Sequence, residues 1–391
     1  MEYENGCDEG VAMQAVGNGP NPLYVAPIPE RLRAKGWFSD YGAYVLVDGQ
    51  FGSTGKGLAE QCLALMFGSR VTHVTTNAGP NSGHTTYDHD TGGKIITKQI
   101  PSFSTTLARL NRQPQLILNA GALVDPDILL AELRAFPGIR LQVHPHAAAI
   151  LPEHKEAPIS SILQVASTNK GTGPALAAKV LREKFAVVEH RHEFRRIPQS
   201  AANWNWDRHC VFVSTAQGFS LGLNSGFYPY TTCRECTVQQ ALADASIPAR
   251  RLRKVIATYR TYPIRVGNTQ AGSSGPGYPD QIELDWATLG VEPETTTVTG
   301  RVRRVFTWSD IQFTQSIQAN EPDAFFLNFI NYFKTVHEAQ SFVVRVWELY
   351  KSVRGGDPDF IMLGFGPRHS DVACVLTKEE AMMAIAERMG K

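Results

Sequence analysis

The strongest constraint in this sequence is a strand, a glycine-rich loop and a helix in immediate succession between residues 43 and 67. Ala43-Tyr44-Val45-Leu46-Val47 is a short apolar, partly β-branched run bounded by Gly42 and Gly49, which reads as a buried strand. Asp-Gly-Gln-Phe-Gly-Ser-Thr-Gly-Lys-Gly follows at 48–57, and residues 58–67 read as the start of a helix. In that arrangement the glycines lie where backbone N–H groups at a helix N-terminus face an anion. Lys56 adds a point charge, so the segment reads as a phosphate-binding loop. It is not a strict P-loop, because Gln50 stands six residues before Lys56 and Gly57 follows it, in place of Gly and of Ser or Thr. The usual magnesium-binding hydroxyl is missing, so a metal must find ligands elsewhere. Taken alone, such a loop is also compatible with a purely structural turn.

The chain has 391 residues, enough for a large core, and strands alternate with helices along it. The expectation is an α/β fold: a single elaborated domain around a mostly parallel central sheet, with residues 41–391 forming the catalytic domain. Residues 1–40 begin acidic and polar and pass into Gly17-Asn18-Gly19-Pro20-Asn21-Pro22, without the apolar heart of a signal peptide. They read as a poorly ordered N-terminal extension. The net charge of +1 and the absence of a basic run give no sign of a nucleic-acid or membrane surface. No run of 18 apolar residues occurs, and the cysteines read as reduced thiols of a cytosolic protein. Cys233-Arg234-Glu235-Cys236 is a single CxxC without a second pair, and His144-x-His146 and His190-x-His192 have no acidic or thiol partners at metal-binding spacing.

Further strands are expected at Gln115–Asn119 and Cys210–Ser214, and Asp125-Pro126 reads as the cap and first turn of a helix. Ligands of a parallel sheet gather beyond the strand C-termini, where Thr215-Ala216-Gln217-Gly218 and the Gly49–Gly55 loop would meet. Residues 267–280, rich in Gly, Ser and Pro, fit either an active-site loop or a surface connection.

Eight segments occur in an order that resembles adenylosuccinate synthetases, spanning roughly residues 43–370. They are Gln50–Gly57, Asn81-Ser82-Gly83-His84-Thr85, Ile100-Pro101-Ser102, Ser167–Ala175, Ala216-Gln217-Gly218, Tyr228-Pro229-Tyr230, Arg265-Val266-Gly267 and Thr299–Arg304. Members of that family join aspartate to C6 of a purine nucleotide: a nucleoside triphosphate phosphorylates the 6-oxygen, and the aspartate amine displaces phosphate. The resemblance implies that Lys56 neutralises the γ-phosphoryl together with Mg²⁺. It makes His84 the group that supports the 6-oxygen, and the Gly83 carbonyl a Mg²⁺ ligand. Asn81, Thr168, Gln217 and Thr232 become contacts to the nucleotide substrate. Arg182 becomes an arginine that reaches the 5′-phosphate of a neighbouring subunit's substrate, which implies a homodimer. Thr299, Arg301 and Arg303 fall where the family holds the amino acid's carboxylates, and alternate arginines suit bidentate recognition. Gly52, Thr54, Gly55, Lys56, Gly57, His84, Thr85, Arg303, Asn331 and Gly366 are the implied contacts to the phosphate donor.

Three departures from the family pattern carry information. At position 53 the family has an aspartate that takes the N1 proton and touches Mg²⁺; here Ser53, catalytic and metal-binding by position, is a poor base near neutral pH. The smaller neutral side chain leaves room and removes an acceptor beside N1, so that a 2-amino group could fit there with Ser53 accepting from it. That is the pattern associated with a phage branch of the family acting on dGMP to make the precursor of 2-aminoadenine. Deprotonation of N1 would then pass through water or the substrate. Asn331, in the run Leu327-Asn328-Phe329-Ile330-Asn331, stands where the family reads the guanine of GTP with an aspartate, so the donor is expected to be ATP or dATP. Thr54 replaces a common glutamate without an evident physical reason. The expected activity is a carbon–nitrogen ligase joining L-aspartate to dGMP. The alternatives are ordinary synthesis from IMP with GTP, or an inactive nucleotide-binding relative.

Overall fold

A computed structural model describes residues 28–88, 90–156, 168–270, 272–296 and 300–390. Its centre is a nine-stranded sheet. From one edge to the other the strands are Val372–Val375, Ile361–Gly364, Ala324–Asn328, Leu252–Arg260, Gly42–Asp48, Cys210–Ser214, His73–Thr76, Gln115–Leu118 and Arg140–Val143. All neighbours pair in parallel except the edge strand Val372–Val375, which runs antiparallel to Ile361–Gly364. The expected α/β architecture is therefore present. Among the described residues no helix is long and apolar enough to cross a membrane.

The first strand explains why the sequence reads as continuously apolar there. All seven residues of Gly42–Asp48 are buried, because helices cover both faces of the sheet. Period-two alternation sends Tyr44 and Leu46 into one core with Leu58, Leu63, Phe103 and Phe212. Ala43, Val45 and Val47 enter the other with Val213, Phe325, Val343 and Trp347. Each large apolar side chain removed from water in this way contributes on the order of 1.5–3 kcal/mol.

Residues 28–40 correct the reading of a loose extension that ends at residue 40. Ile28–Ala34 is a helix, and Leu32, Trp37 and Phe38 are fully buried. Phe38 stacks on Tyr44 and Phe67 with ring centroids 4.1 and 4.7 Å apart, and Trp37 meets Phe360 edge-on at 4.9 Å. The indole N–H of Trp37 donates to Asp359 at 3.0 Å. Polar residues preceding this segment hid an aromatic anchor inside a stretch whose average looks solvated. Residues 1–27 lie outside the described residues.

Strand Gly42–Asp48 sits between Leu252–Arg260 on one side and Cys210–Ser214 on the other, so the chain order reverses around it. Such a switch point opens a crevice at the carboxyl ends of the strands. Helix Lys56–Phe67 starts there, and Glu60 on its buried side anchors the next layer. Its carboxylate accepts from Ser214 Oγ at 2.5 Å and from the Phe103 amide at 3.1 Å, near the start of helix Ser102–Arg109. Burial holds the Glu60 carboxyl above its usual range despite those hydrogen bonds and Lys56.

Candidate active site

The crevice is a cavity of about 1000 Å³ lined by the ends of the central strands and the loops that follow them. Gly52, Ser53, Gly55, Lys56, Gly57, Asn81, Gly83, His84, Thr85, Thr168, Gln217, Thr232, Arg303, Asn331 and Gly366 all line it. Segments separated by up to about three hundred positions in the sequence therefore share one wall system. Arg301 lies outside the lining and donates to the Gly267 carbonyl at 3.2 Å. Arg182 is an exposed residue just past helix Thr172–Val180, whose first turn lines the cavity. Thr299 lies outside the described residues.

The phosphate loop is organised by a carboxylate that the sequence reading left without a role. Asp48, 1% exposed, accepts from the Gln50 amide at 2.9 Å, the Gly52 amide at 3.2 Å and the Thr54 hydroxyl at 2.5 Å. The Lys56 ammonium lies 3.3 Å from the same carboxylate and donates to the Gln217 carbonyl at 2.8 Å. Lys56 is thus pinned across the mouth of the loop, while Gly55 caps the helix with φ +92°. A Cβ on Gly55 would fall 2.2 Å from Asn328 Nδ2, so only glycine fits there. Gly218 likewise passes so close that a Cβ would meet the Gln50 carbonyl at 2.4 Å.

This arrangement turns the Thr54 side chain away from the cavity, leaving its backbone for any contact to the donor, and supplies a reason for threonine here. Thr54 is fully buried, and its hydroxyl bridges Asp48 and Thr258 Oγ1, the latter at 2.6 Å. A glutamate could not enter this space without leaving a second carboxylate against Asp48. The signal was the aspartate at the strand end, six residues before Thr54.

Ser53 is exposed to the cavity at the tip of the loop, with φ +56°. Its hydroxyl accepts from Arg303 Nη1. Burial lowers the Arg303 guanidinium to about 10 against the opposing pull of Glu294, so it remains a cation at neutral pH. Gln217 and Phe329, also on the wall, share positive φ values of +64° and +65°. With Asn169 at φ +52°, four described non-glycine residues of the lining are held in the sparsely populated left-handed region, which marks backbone ordered for a site.

His84 begins the hairpin strand His84–Tyr87, which pairs with Lys94–Thr97. Burial, reinforced by Lys56, lowers its pKa to about 3. The imidazole is neutral at physiological pH and offers a ring N–H as a hydrogen-bond donor rather than a transferable acid proton. Asn81 lines the cavity, and its Oδ1 is buried without a hydrogen-bond partner among the described residues.

Only two carboxylates line the cavity among the described residues, Asp48 and Glu294. Glu294 is forked by Arg260 and accepts from the Tyr332 hydroxyl at 2.9 Å. Although burial alone would raise it, Arg260 and Arg303 hold its carboxyl below the usual range. Neither carboxylate is free to serve as a strong base. The glycine- and serine-rich loop after Arg265 is tied down as well: Arg265 Nε donates to the Ser274 carbonyl at 2.7 Å, and Val266 and Ser274 line the cavity. Cys233 and Cys236 are free thiols, and no cluster of three metal-ligating side chains occurs among the described residues.

Comparison with known proteins agrees with this geometry. The adenylosuccinate synthetase family model matches residues 45–205 and 202–351. N6-succino-2-amino-2′-deoxyadenylate synthase of Vibrio phage phiVC8 is 36% identical over 346 residues, covering 84% of this chain and 96% of the relative. An adenylosuccinate synthetase of Pyrococcus sp. (strain ST700) is 30% identical over 281 residues, covering 69% of this chain and 78% of the relative. Among solved structures, the succinoaminodeoxyadenylate synthetase of cyanophage S-2L, bound to dGMP and dATP as an energy donor, superposes with a TM-score of 0.78 and 32% identity. That match covers 89% of this chain and 99% of the other. Sequence, fold and site together show that this chain belongs to the adenylosuccinate synthetase family.

Proposed function

We propose that the protein is a ligase that joins L-aspartate to C6 of dGMP through a 6-phosphoryl intermediate, with ATP or dATP as phosphate donor. The observation that carries this reading is Ser53, a neutral hydroxyl exposed at the tip of the phosphate loop and oriented by Arg303. Its proton and remaining lone pair face a cavity in which an exocyclic amine at C2 would find an acceptor. The similarity to a synthetase bound to dGMP and dATP supports the same pair of nucleotides here.

In the first step the O6 of dGMP attacks the γ-phosphorus of the donor, the bond to the β–γ bridging oxygen breaks, and the N1 proton leaves the purine. Lys56 and the loop amides neutralise the phosphoryl group in flight, and neutral His84 donates a hydrogen bond to O6. With Asp48 and Glu294 both engaged, the N1 proton passes to water or to a substrate oxygen. In the second step the aspartate amine attacks C6, inorganic phosphate leaves with the former O6, and Arg303 with Arg301 and Thr299 holds the amino acid's carboxylates. Asn331, exposed on the cavity, meets the donor's adenine with one amide donor and one acceptor. Asn81, Thr168, Gln217 and Thr232 contact the substrate nucleotide.

The wall's neutral oxygens fit a Mg²⁺ ion that keeps much of its shell from substrate phosphates and water. The Gly83 carbonyl would hold it, with the Ser53 hydroxyl joining only where the 2-amino group leaves its second lone pair open, and it would supply charge neutralisation for the donor phosphates. Arg182 would act across a homodimer, a reading supported by the exposed apolar side chains of Val180, Leu181 and Phe185 beside it.

The test is turnover with dGMP, aspartate and ATP, followed by phosphate release and by identification of the succinylated product. Activity on IMP with none on dGMP overturns the reading, and a GTP preference overturns the donor assignment.

A further inference from the structure

Arg260 ends strand Leu252–Arg260 and its side chain is fully buried, outside the cavity lining. Three residues that do line the cavity converge on it. Nη1 donates to the Ser53 carbonyl at 3.2 Å and to Glu294 Oε2 at 3.1 Å, and Nη2 donates to Glu294 Oε1. The face of the guanidinium lies 3.9 Å from the centroid of the Phe329 ring. Its backbone is clamped too: Arg260 N donates to Gln50 Oε1 at 2.9 Å, and Gln50 Nε2 donates to the Arg260 carbonyl at 3.2 Å.

Each partner belongs to a wall segment that serves a different substrate in the function proposed above, on which this inference rests. Ser53 faces the purine. The Glu294 carbonyl accepts from the Arg303 amide at 2.9 Å, at the root of the aspartate-holding strip. Phe329 precedes Asn331 by two positions, on the donor-base segment. We infer that Arg260 is a positioning residue that couples the three substrate subsites, so that ordering one segment favours the bound form of the others.

The physical case rests on the shape of the guanidinium. Its planar fork grips a carboxylate along one edge while its face packs on an aromatic ring, a combination that lysine cannot reproduce. Stability alone is a poor reason for the group. Its Nε is buried without a hydrogen-bond partner among the described residues, and a buried ion pair rarely outperforms apolar packing. What the group provides is a rigid link between segments far apart in sequence: residues 50–53, 294 and 329. A substrate that fixes one contact of that link removes part of the ordering cost for the next.

The experiment is calorimetric titration of dGMP with and without a non-hydrolysable ATP analogue, together with steady-state KM and kcat. The wild type should bind dGMP about 5- to 150-fold more tightly when the analogue is present, the usual span of a coupling between sites. R260K keeps a cation but lacks the fork, and should reduce that ratio towards one while far-ultraviolet circular dichroism stays native. F329L removes the stacking face without disturbing the fork, and should weaken donor-to-dGMP coupling in the same direction with a smaller loss of kcat. Unchanged coupling in a folded R260K, or in F329L should R260K fail to fold, overturns the inference. If the wild type binds IMP and a GTP analogue instead of dGMP and ATP, the functional reading fails. The same titrations on that pair then decide the role of Arg260 independently.

Discussion

The two walls of the cavity solve different problems by different means. On the phosphate wall, residues 48–57 apart from the Ser53 side chain, the proposed recognition lies in the backbone: Asp48 holds the loop through two amides, a threonine hydroxyl and Lys56, and glycines clear space for the fold around it. At Ser53, Phe329, Asn331 and Arg303, which also line the cavity, the proposed selection rests on individual side chains carried by the loop tip, strand ends and loops. A phosphate looks the same in every nucleotide, so a fixed cradle suffices. A base or an amino acid must be told from its analogues, which requires side chains that can be exchanged without unmaking the cradle.

That contrast is open to attack, first where the expected effect is largest. Replacing Asp48 by Asn strands Lys56 beside a neutral amide in a site where the two side chains are 0% and 7% exposed. Breaking a buried pair costs about 3–5 kcal/mol. Urea unfolding of D48N should show a loss of that order, and a variant as stable as the wild type would mean the loop holds itself. K56M should lower kcat by roughly 10²–10³, as expected for removal of one charge-stabilising donor. Phosphate release measures it, and a loss below tenfold breaks the idea of a dedicated phosphate wall.

On the selective wall the changes should redirect rather than abolish. S53D places a carboxylate beside the purine's 2-position. By filling the room the 2-amino group needs, it should lower kcat/KM for dGMP relative to IMP by about 10–100-fold, the scale of overpacking a site by ~1–3 kcal/mol. N331D should move the ratio of kcat/KM for ATP to that for GTP by about tenfold towards GTP, one hydrogen bond's worth. Equal ratios before and after either change would show that selection lies elsewhere.

A last effect is a pH dependence of stability. His84 is lowered to about 3 by burial and Lys56, and His73 to about 4 by burial, His209 and Arg208, from an ordinary value of 6.5. The unfolded chain takes up these protons near pH 6.5 while the folded state refuses them, so stability falls as pH drops from about 6.5 towards 3. Thermal melts across that range should show Tm falling with acid, with the slope reduced in H73N. The kcat profile should show no inflection from His84 between about pH 5 and 8.

Much of this was legible beforehand because it rests on local patterns. A buried strand followed by Gly49–Gly57 has few other uses, and Ser53 and Asn331 stand out because they break an ordered series of segments. Arg260, Glu294 and Asp48 were not legible in the same way. A charged residue at the end of an apolar run reads as a solvated terminus, and nothing nearby in the chain shows that Arg260 and Glu294 are partners across 34 positions. Trp37 and Phe38 were missed because the polar composition of the preceding residues masked an aromatic pair that packs against Phe360 and Tyr44.

By itself the sequence determined the layered α/β architecture, the phosphate loop and the family, since each is encoded by short-range periodicity or by an ordered set of motifs. Tertiary structure alone decided which carboxylates are engaged, that Thr54 turns into the core, and that Ser53 leans on Arg303. Those facts depend on distances between strand ends remote in the chain, where burial converts ordinary polar side chains into obligatory partners.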